Sequence, residues 1–415
     1  MSAPAAKPVP SYSPLVEHWG LDRSITFLNH GSFGATPLRV LARQVELQRR
    51  LESEPVRFLV EELEPLLDGS RRALAELLRA DAGGFAFVPN ATAGVNAVLR
   101  SLNLSPGDEI VLLNQAYNAC ANAVRFVAER SGAKVVLADL PWPVQSPEQA
   151  VQAVVKAISP RTRLAMIDHI TSPSALVLPI EEIVRQVQAK GVDVLVDGAH
   201  GPGMVDVQLD DLGAAYYTAN CHKWLCAPKG AAFLWVRQDR RAATRPLIIS
   251  HGANSRRTDR SRFLLEFDWC GTCDYSPWVC IADSIHAIAD IARGPGGQRD
   301  VRADWARVRT HNRELALRAR RLLSGRFGTP PMAPEEMIGS IATVALPDGV
   351  GPEPPLAAYP SPLQRALIDR HRIQVPIGHF PAWPKRTLRI SAQLYNDFSQ
   401  YEHLANVLGA ELGIR

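Results

Sequence analysis

Helical spacing of hydrophobic residues marks the first ordered elements of the chain. Over Leu38–Glu54, apolar residues recur every three or four positions among Arg, Gln and Glu, which predicts an amphipathic helix. A second helix is predicted over Val56–Leu78. The segment before Ser24 is rich in Pro, Ala and Ser and indicates an N-terminal arm, whereas Phe27–Pro37 is a loop punctuated by glycines.

The pattern then changes to short apolar runs separated by longer amphipathic segments. Strands are predicted at Gly84–Val88, Glu109–Leu113, Ala133–Ala138, Leu164–His169, Val192–Val196, Ala215–Thr218 and Ala231–Val236. Such alternation is typical of βαβ units and predicts an α/β fold, a mostly parallel sheet with helices on both faces. Ligands of such sheets bind at the carboxyl ends of the strands.

The character of the chain changes again after about Gly294. A long Arg-rich helix is predicted over Arg302–Arg326, followed by a Pro- and Gly-rich loop over Pro347–Pro362, then a helix, a strand and a closing helix. We therefore expect an arm at 1–26, a large domain at 27–295 and a smaller α+β C-terminal domain at 296–415.

Composition and charge narrow the class of protein. The 46 Lys and Arg against 42 Asp and Glu leave a net charge of +4 that is spread along the chain, so neither nucleic acid nor an anionic membrane is an expected partner. No apolar run approaches the ~18 residues of a membrane helix, and no signal peptide is recognisable. A soluble cytoplasmic enzyme is expected. The Cys270–Cys273 pair lacks a second ligand pair, so no metal site is predicted.

Two strand ends carry the candidate chemistry. The strand core Val194–Val196 runs directly into Asp197, and the next predicted strand runs into a segment that contains Lys223. Pyridoxal phosphate needs such a pair, because a Lys amine forms a Schiff base with its aldehyde and a carboxylate keeps its pyridine nitrogen protonated. A strand-end Asp can also be an ordinary cap and a loop Lys is usually solvated. Their joint placement favours the cofactor.

A third element could hold a phosphate. A strand over Phe85–Val88 is followed by a turn of small residues and then by a helix that is under way by Val95. Free backbone N–H groups at such a helix start, with the Thr92 hydroxyl beside them, suit an anion. The alternative is that Thr92 is an ordinary N-cap.

These residues resemble a known family, the class V (fold type I) pyridoxal-phosphate enzymes, and within it the isopenicillin N epimerase-like branch. The resemblance covers nearly the whole chain. Its motifs are LNHGSFG from Leu28, FVPNATAGVN from Phe87, VDGAHGPG from Val196, HKWLCAPKG from His222, FDWCGTCDYSPW from Phe267, IQVPI from Ile373 and LRISAQLYN from Leu388.

The resemblance implies roles around the cofactor. Lys223 would form the Schiff base, Asp197 would face the pyridine nitrogen, His200 would lie beside the phenolic oxygen and Tyr117 would stack on the ring. The residues at the phosphate positions are Ala91, Thr92, Asn220 and His222. Ser172 stands where many relatives have an asparagine near the cofactor oxygen, and Cys221 replaces a usual glycine.

The resemblance also implies a substrate site and a partner. Arg389 would grip the substrate carboxylate, as a bidentate guanidinium can, and Asn29 and His30 would line the entrance. Gly271 and Thr272 resemble a pair that reaches the phosphate of the neighbouring subunit, which implies a homodimer with shared active sites. The structural alternatives are core packing for Tyr117, satisfied loop histidines for His30 and His200, and a surface ion pair for Arg389.

Several reactions share one first step in this family, removal of the substrate α-proton by Lys223. Our first expectation is an epimerase or racemase, the second is a carbon–sulfur β-lyase like the related ergothioneine-pathway enzymes, and the third is an aminotransferase. The segment His371–Arg389 contains no Cys, which argues against persulfide chemistry. A non-catalytic binding protein is disfavoured because Lys223 and Asp197 are both present.

Overall fold

The structure, a computed structural model, describes residues 10–353 and 361–414. Its strands are β1 (Thr26–Phe27), β2 (Phe85–Val88), β3 (Glu109–Leu113), β4 (Lys134–Ala138), β5 (Thr162–Asp168), β6 (Asp193–Asp197), β7 (Tyr216–Asn220), β8 (Ala232–Val236), β9 (Ile341–Leu346), β10 (Ile373–Gln374), β11 (Ile377–His379) and β12 (Arg386–Ser391).

The helices surround these strands and fill the connections between them. They are α1 (His30–Phe33), α2 (Leu38–Ser53), α3 (Pro55–Arg57), α4 (Leu63–Leu78), α5 (Ala91–Ser101), α6 (Asn118–Ser131), α7 (Pro147–Ala157), α8 (Ile180–Gln188), α9 (Leu209–Leu212), α10 (Gln238–Arg241), α11 (Arg262–Phe267), α12 (Ser276–Arg293), α13 (Val301–Phe327), α14 (Pro362–His371) and α15 (Phe398–Glu411). A wider π-helical turn at Phe58–Glu62 joins α3 to α4, where the sequence predicts one helix.

The large sheet confirms the predicted α/β architecture. Seven strands lie in the order β2-β8-β7-β6-β5-β3-β4, and β8 is the one strand of this sheet that runs antiparallel to the other six. Successive residues of a strand enter different cores, as on β3, where Val111 and Leu113 pack on one face and Ile110 and Leu112 on the other. Helices cover both faces, so the strand ends are the place where polar side chains meet a cavity.

The C-terminal part contains more sheet than the sequence predicts. The antiparallel order β11-β12-β9 forms a three-stranded sheet, whereas only one strand was expected after Gly294. Helix α12 was not predicted either, although Asp283, His286 and Asp290 recur at helical spacing among its apolar residues. Part of the predicted loop over Pro347–Pro362 lies outside the described residues.

The two ends of the chain meet. Val16 and Trp19, on the predicted N-terminal arm, are buried in the core that also contains Val111 and Leu113 of the large sheet. Residues 1–9 of the arm lie outside the described residues. Strand β1 pairs parallel with β10, and Leu28 is buried in the core of the small sheet. Helix α13 begins in the core of the large sheet and ends in the core of the small sheet. No described helix is long and apolar enough to cross a membrane.

Candidate active site

Three polar residues end three neighbouring strands of the large sheet. Asp168 ends β5, Asp197 ends β6 and Asn220 ends β7. Asp168 is the register partner of Asp197. Because parallel strands bring their carboxyl ends to one edge, the three side chains share a cavity of about 380 Å³. It is lined by Ser32, Phe33, Asn90, Ala91, Thr92, Tyr117, Asp168, Ile170, Ser172, Asp197, Ala199, His200, Asn220, His222 and Lys223.

Asp197 is a buried carboxyl with two hydrogen-bond donors. Its Oδ1 accepts the backbone N–H of Ala199 at 3.2 Å, and its Oδ2 accepts the thiol of Cys120 at 3.0 Å. Burial raises the pKa of Asp197, while these donors and the Lys223 amine lower it. The donors favour the charged form, which can hold a proton on a ring nitrogen in the cavity. Sequence reasoning missed Cys120.

The hydrogen bonds of His200 indicate which form of Lys223 fits beside it. The indole of Trp224, which can only donate, donates to His200 Nδ1 at 3.2 Å. The neutral imidazole then carries its proton on Nε2, which lies 3.1 Å from Lys223 Nζ. Lys223 can accept this proton only as an uncharged amine. Burial, followed by the charge of Arg389, lowers the pKa of Lys223 to about 8. The uncharged amine is the form that attacks an aldehyde.

The start of helix α5 borders the same cavity. Asn90 caps the helix, since its side chain accepts the Ala93 N–H at 2.8 Å. The reading of Thr92 as the N-cap is therefore wrong. The side-chain oxygen of Asn220 accepts the Ala91 N–H at 2.9 Å, which leaves the amide group of Asn220 as a donor for the cavity. Thr92 lines the cavity as well.

His222 completes this side of the cavity. Its Nδ1 donates to the Ala231 carbonyl at 3.1 Å, so the neutral ring presents an unprotonated Nε2. Burial lowers the pKa of His222 to about 4. An anion bound beside it would favour the protonated, donating form.

Arg389 lies at the junction of this cavity with a second one. Its Nη1 donates to the Ser172 carbonyl at 2.5 Å, and its Nη2 donates to the Ser32 hydroxyl at 3.3 Å. The second cavity, of about 340 Å³, is lined by Ser32, Ala116, Tyr117, Asn118, Ser172, Pro173, Pro376, Ile377, Gly378, His379, Phe380, Thr387 and Arg389. Ser32, Tyr117 and Ser172 belong to both linings, so the two cavities adjoin.

Comparison with known proteins assigns the family. The model of the aminotransferase class-V family matches residues 31–263, which is more than half of the chain. The chain belongs to the class V aminotransferase family. Over 95% of this class V chain and 96% of the relative, it is 33% identical to the isopenicillin N epimerase of Streptomyces clavuligerus. It is 32% identical to a probable chloroplastic L-cysteine desulfhydrase of Arabidopsis thaliana, over 93% and 83% of the two chains.

Solved structures show the same fold. The cystine C-S lyase C-DES superposes on 92% of the class V chain, covering 97% of its own, with a TM-score of 0.73 and 21% identity. A cysteine desulfurase from Thermococcus onnurineus superposes with a TM-score of 0.77 and 19% identity, over 97% and 98% of the two chains. The fold type I architecture expected from the sequence is thus confirmed.

Pyridoxal phosphate is the cofactor of this class V chain, and its residues fit that group. An amine and a carboxyl, Lys223 and Asp197, face one cavity whose other wall is the start of α5. A buried oxygen, Oδ2 of Asp168, has no hydrogen-bond partner among the described residues. Buried polar atoms normally have partners, so this atom indicates that a bound group belongs here.

Two of the substrate residues expected from the sequence lie behind the cavity. His30 is 1% exposed; its Nε2 lies 3.1 Å from the Lys223 carbonyl and its Nδ1 lies 2.8 Å from the Tyr395 hydroxyl. Burial lowers the pKa of His30 to about 3, so the ring is neutral and donates to the carbonyl. The side-chain oxygen of Asn29 accepts the Ser32 hydroxyl at 2.6 Å. Neither residue lines either cavity, and substrate contact stays a prediction for both.

Helix α1 closely approaches the loop after β7 that carries Lys223, here called the lysine loop. This approach explains the last glycine of the motif LNHGSFG. Gly34 has φ of +71°, and a Cβ there would lie 2.0 Å from the His222 carbonyl oxygen. Any side chain would push the N-terminal segment away from the lysine loop.

The loop that is expected to reach the phosphate of a neighbouring subunit lies outside the cofactor cavity of its own chain. Gly271 and Thr272 follow α11 in a loop where Thr272 is exposed, and neither residue lines the cavity of its own chain. Sequence reasoning also missed Asp168 and Ser32. The first could have been found by the signal that identified Asp197, a carboxyl directly after an apolar strand.

Proposed function

We propose that this class V enzyme is an amino-acid epimerase or racemase that removes the substrate α-proton on one side and returns a proton on the other. The observation that carries the proposal is a base and an acid in one cavity. The hydrogen bonds of His200 suit the uncharged amine of Lys223, whose pKa is lowered to about 8, while burial raises the pKa of Tyr117, so its phenol keeps its proton. Inversion needs both.

Each residue has a defined task. When bound, pyridoxal phosphate withdraws electrons from the α-carbon of the amino acid attached to it. Lys223 Nζ takes up the α-proton on its side of the substrate, and the Tyr117 hydroxyl donates a proton on the opposite side. Asp197, kept charged by Ala199 and Cys120, holds the proton of the pyridine nitrogen. The Arg389 guanidinium orients the substrate carboxylate.

The second cavity supports a substrate with a long side chain. Its volume of about 340 Å³ exceeds what the side chain of cysteine needs. Its walls include Pro173, Ile377 and Phe380, and Arg389 carries the only permanent charge among the described residues that line it. This composition favours a substrate whose side chain is uncharged where it meets the wall.

Tyr117→Phe tests the proposal. The protein is incubated with a panel of L- and D-amino acids in heavy water, and the mass and chirality of the products are measured. We expect the wild type to invert a substrate with solvent deuterium at the α-carbon. Tyr117→Phe should keep the cofactor and exchange the α-proton with retention, but lose inversion by about a hundredfold or more. An unchanged inversion rate would remove Tyr117 from the mechanism.

A carbon–sulfur β-lyase is the second candidate, favoured by the similarity to the cysteine desulfhydrases. A lyase needs no acid on the second face, so Tyr117→Phe would leave its rate within a few-fold. Pyruvate or another keto acid as the main product would reject epimerisation and favour this reaction or transamination.

We also propose that the enzyme works as a homodimer. Exposed apolar side chains recur along the segment from α1 to the π-helical turn: Phe33 is 70% exposed, Val56 77% and Val60 74%. Burial of such residues between two copies would lower the free energy of the assembly. The exposed Gly271–Thr272 loop would then serve the partner's phosphate site. Sedimentation of the active holoenzyme should give a dimer, and an active monomer would contradict the proposal.

A further inference from the structure

A second buried carboxyl lies beside Asp197, and the steps above do not use it. Asp168 is 2% exposed, is the register partner of Asp197 on the adjacent strand and lines the cofactor cavity. Its Oδ1 accepts the backbone N–H of Tyr117 at 3.0 Å. Its Oδ2 is buried and has no partner within the described part of the chain.

The number of donors decides which carboxyl of the pair is charged. Two buried carboxylates at neighbouring strand ends repel each other, so ionisation of one disfavours ionisation of the other. Asp197 receives two hydrogen bonds and faces the Lys223 amine, whereas Asp168 receives one. The negative charge is therefore more stable on Asp197, and the proton of the pair belongs to Asp168.

We propose that Asp168 is a neutral carboxylic acid in the working enzyme, with its proton on Oδ2 as a hydrogen-bond donor to the cofactor cavity. In this form Asp168 performs two tasks. Oδ1 holds the backbone of Tyr117 at the start of α6, and the absence of charge leaves Asp197 as the single anion beside the pyridine nitrogen. This role is that of a positioning residue. It does not depend on whether the enzyme epimerises or eliminates.

Other titratable groups surround the pair and enter its pH dependence. They are Tyr117 and Cys120 at the start of α6, Asp197 on β6, and His200, His222, Lys223 and Arg389 around the cavity. Burial, followed by the charge of Asp197, raises the pKa of Asp168 well above its ordinary value.

Amide substitution separates a neutral acid from a carboxylate. Asp168→Asn keeps an acceptor for the Tyr117 N–H and a donor in place of the Oδ2 proton, so we expect its affinity for the cofactor to stay close to that of wild type. Asp168→Ala leaves the Tyr117 N–H without an acceptor and should weaken cofactor binding about tenfold. Asp197→Asn, by contrast, should cripple kcat. Asp139→Asn, the same substitution at an exposed residue just beyond β4, is the matched control.

Infrared spectroscopy measures the proton directly and without turnover. The wild-type holoenzyme with isotope-labelled aspartate should give a protonated-carboxyl C=O band at pH 8. That band should be absent from Asp168→Asn and retained in Asp139→Asn. A wild-type spectrum without a protonated aspartate band would overturn the proposal, whether or not any variant folds.

The thermal stability of the holoenzyme gives an independent readout. A carboxyl whose pKa is raised in the folded state costs stability as the pH rises above its unfolded pKa of about 3.9. Asn has no proton to lose, so the Tm of Asp168→Asn relative to wild type should increase from pH 5 to pH 8. A decrease over that range, or loss of the cofactor from Asp168→Asn as severe as from Asp168→Ala, would mean that Asp168 acts as a carboxylate and would reject the proposal.

Discussion

The floor and the rim of the active site are built in different ways. The floor consists of Asp168, Asp197 and Lys223, which come from the ends of β5, β6 and the loop after β7, three neighbours in one sheet. The rim consists of Ser32 near the N-terminus and Arg389 on β12, which meet at a hydrogen bond of 3.3 Å. Register fixes the floor, whereas the rim depends on contacts between segments that are distant in sequence.

This difference predicts where a substitution acts. A ladder of backbone hydrogen bonds holds the floor, so loss of a reactive group there, at Asp197 or Lys223, should alter the chemistry without moving the strands. The rim is held by single side-chain bonds such as that from Arg389 to the Ser32 hydroxyl. Loss of a rim contact should therefore change substrate affinity or alignment more than the chemical step.

The largest effect is expected on the floor, at Lys223→Ala. Covalent attachment of the cofactor should be lost and turnover should fall by about a thousandfold or more, because both the nucleophile and the base are removed. Borohydride reduction followed by the mass of the intact protein measures the attachment. Lys229→Ala is the matched control, and attachment that disappears in that variant but persists in Lys223→Ala would reassign the lysine.

The pH dependence of cofactor capture sharpens this prediction. The pKa of Lys223 is lowered to about 8, so the fraction of uncharged amine increases as the pH rises through that value. Capture of pyridoxal phosphate by the apoprotein should therefore accelerate from pH 6.5 to pH 8.5 and then level off. A rate that still rises steeply above pH 10 would indicate a lysine with an ordinary pKa.

The floor could be predicted from sequence because each of its residues follows a short apolar run. Asp197 and Lys223 were found in this way, and the same signal was present at Asp168. Strand period and strand order place such residues together without knowledge of side-chain contacts. The hydrogen bond from Cys120 to Asp197 could not be predicted, since a cysteine on the apolar face of a helix has the pattern of a core residue.

The rim could be predicted only through family resemblance. Arg389 is 217 residues from Ser172, its hydrogen-bond partner, and no local pattern links them. The prediction that His30 lines the entrance depended on the same family resemblance, yet the ring is buried against the loop that carries Lys223. Burial of a polar loop residue is set by tertiary packing, on which periodicity is silent.

Arg389→Lys should have an intermediate effect and should act on binding. Lysine keeps the charge but loses the bidentate fork, so KM for the amino acid should rise about tenfold to a hundredfold while kcat falls less. Steady-state kinetics measures the two parameters separately. Arg386→Lys, on the same strand but bonded to the Pro347 carbonyl, is the control. If kcat fell as far as kcat/KM with KM unchanged, Arg389 would belong with the floor.

The smallest effect is expected at Tyr395→Phe, on the contact that ties the rim to the floor. The Tyr395 hydroxyl donates to His30 Nδ1, whose ring in turn donates to the Lys223 carbonyl. Without the hydroxyl, Nδ1 is left buried and unpaired, which should cost about 1–3 kcal/mol of unfolding free energy. The lysine loop should also loosen, and partial hydration of Lys223 should move its pKa up from about 8.

Tyr401→Phe separates these two consequences. The Tyr401 hydroxyl donates to the Ser391 carbonyl at 2.7 Å and is equally buried, but it does not contact His30. Denaturant unfolding should show a comparable loss of stability in both variants. Only Tyr395→Phe should shift the pH profile of cofactor capture to higher pH, because only that hydroxyl is connected to the lysine loop. Equal profiles in the two variants would mean that the floor keeps Lys223 aligned without help from the rim.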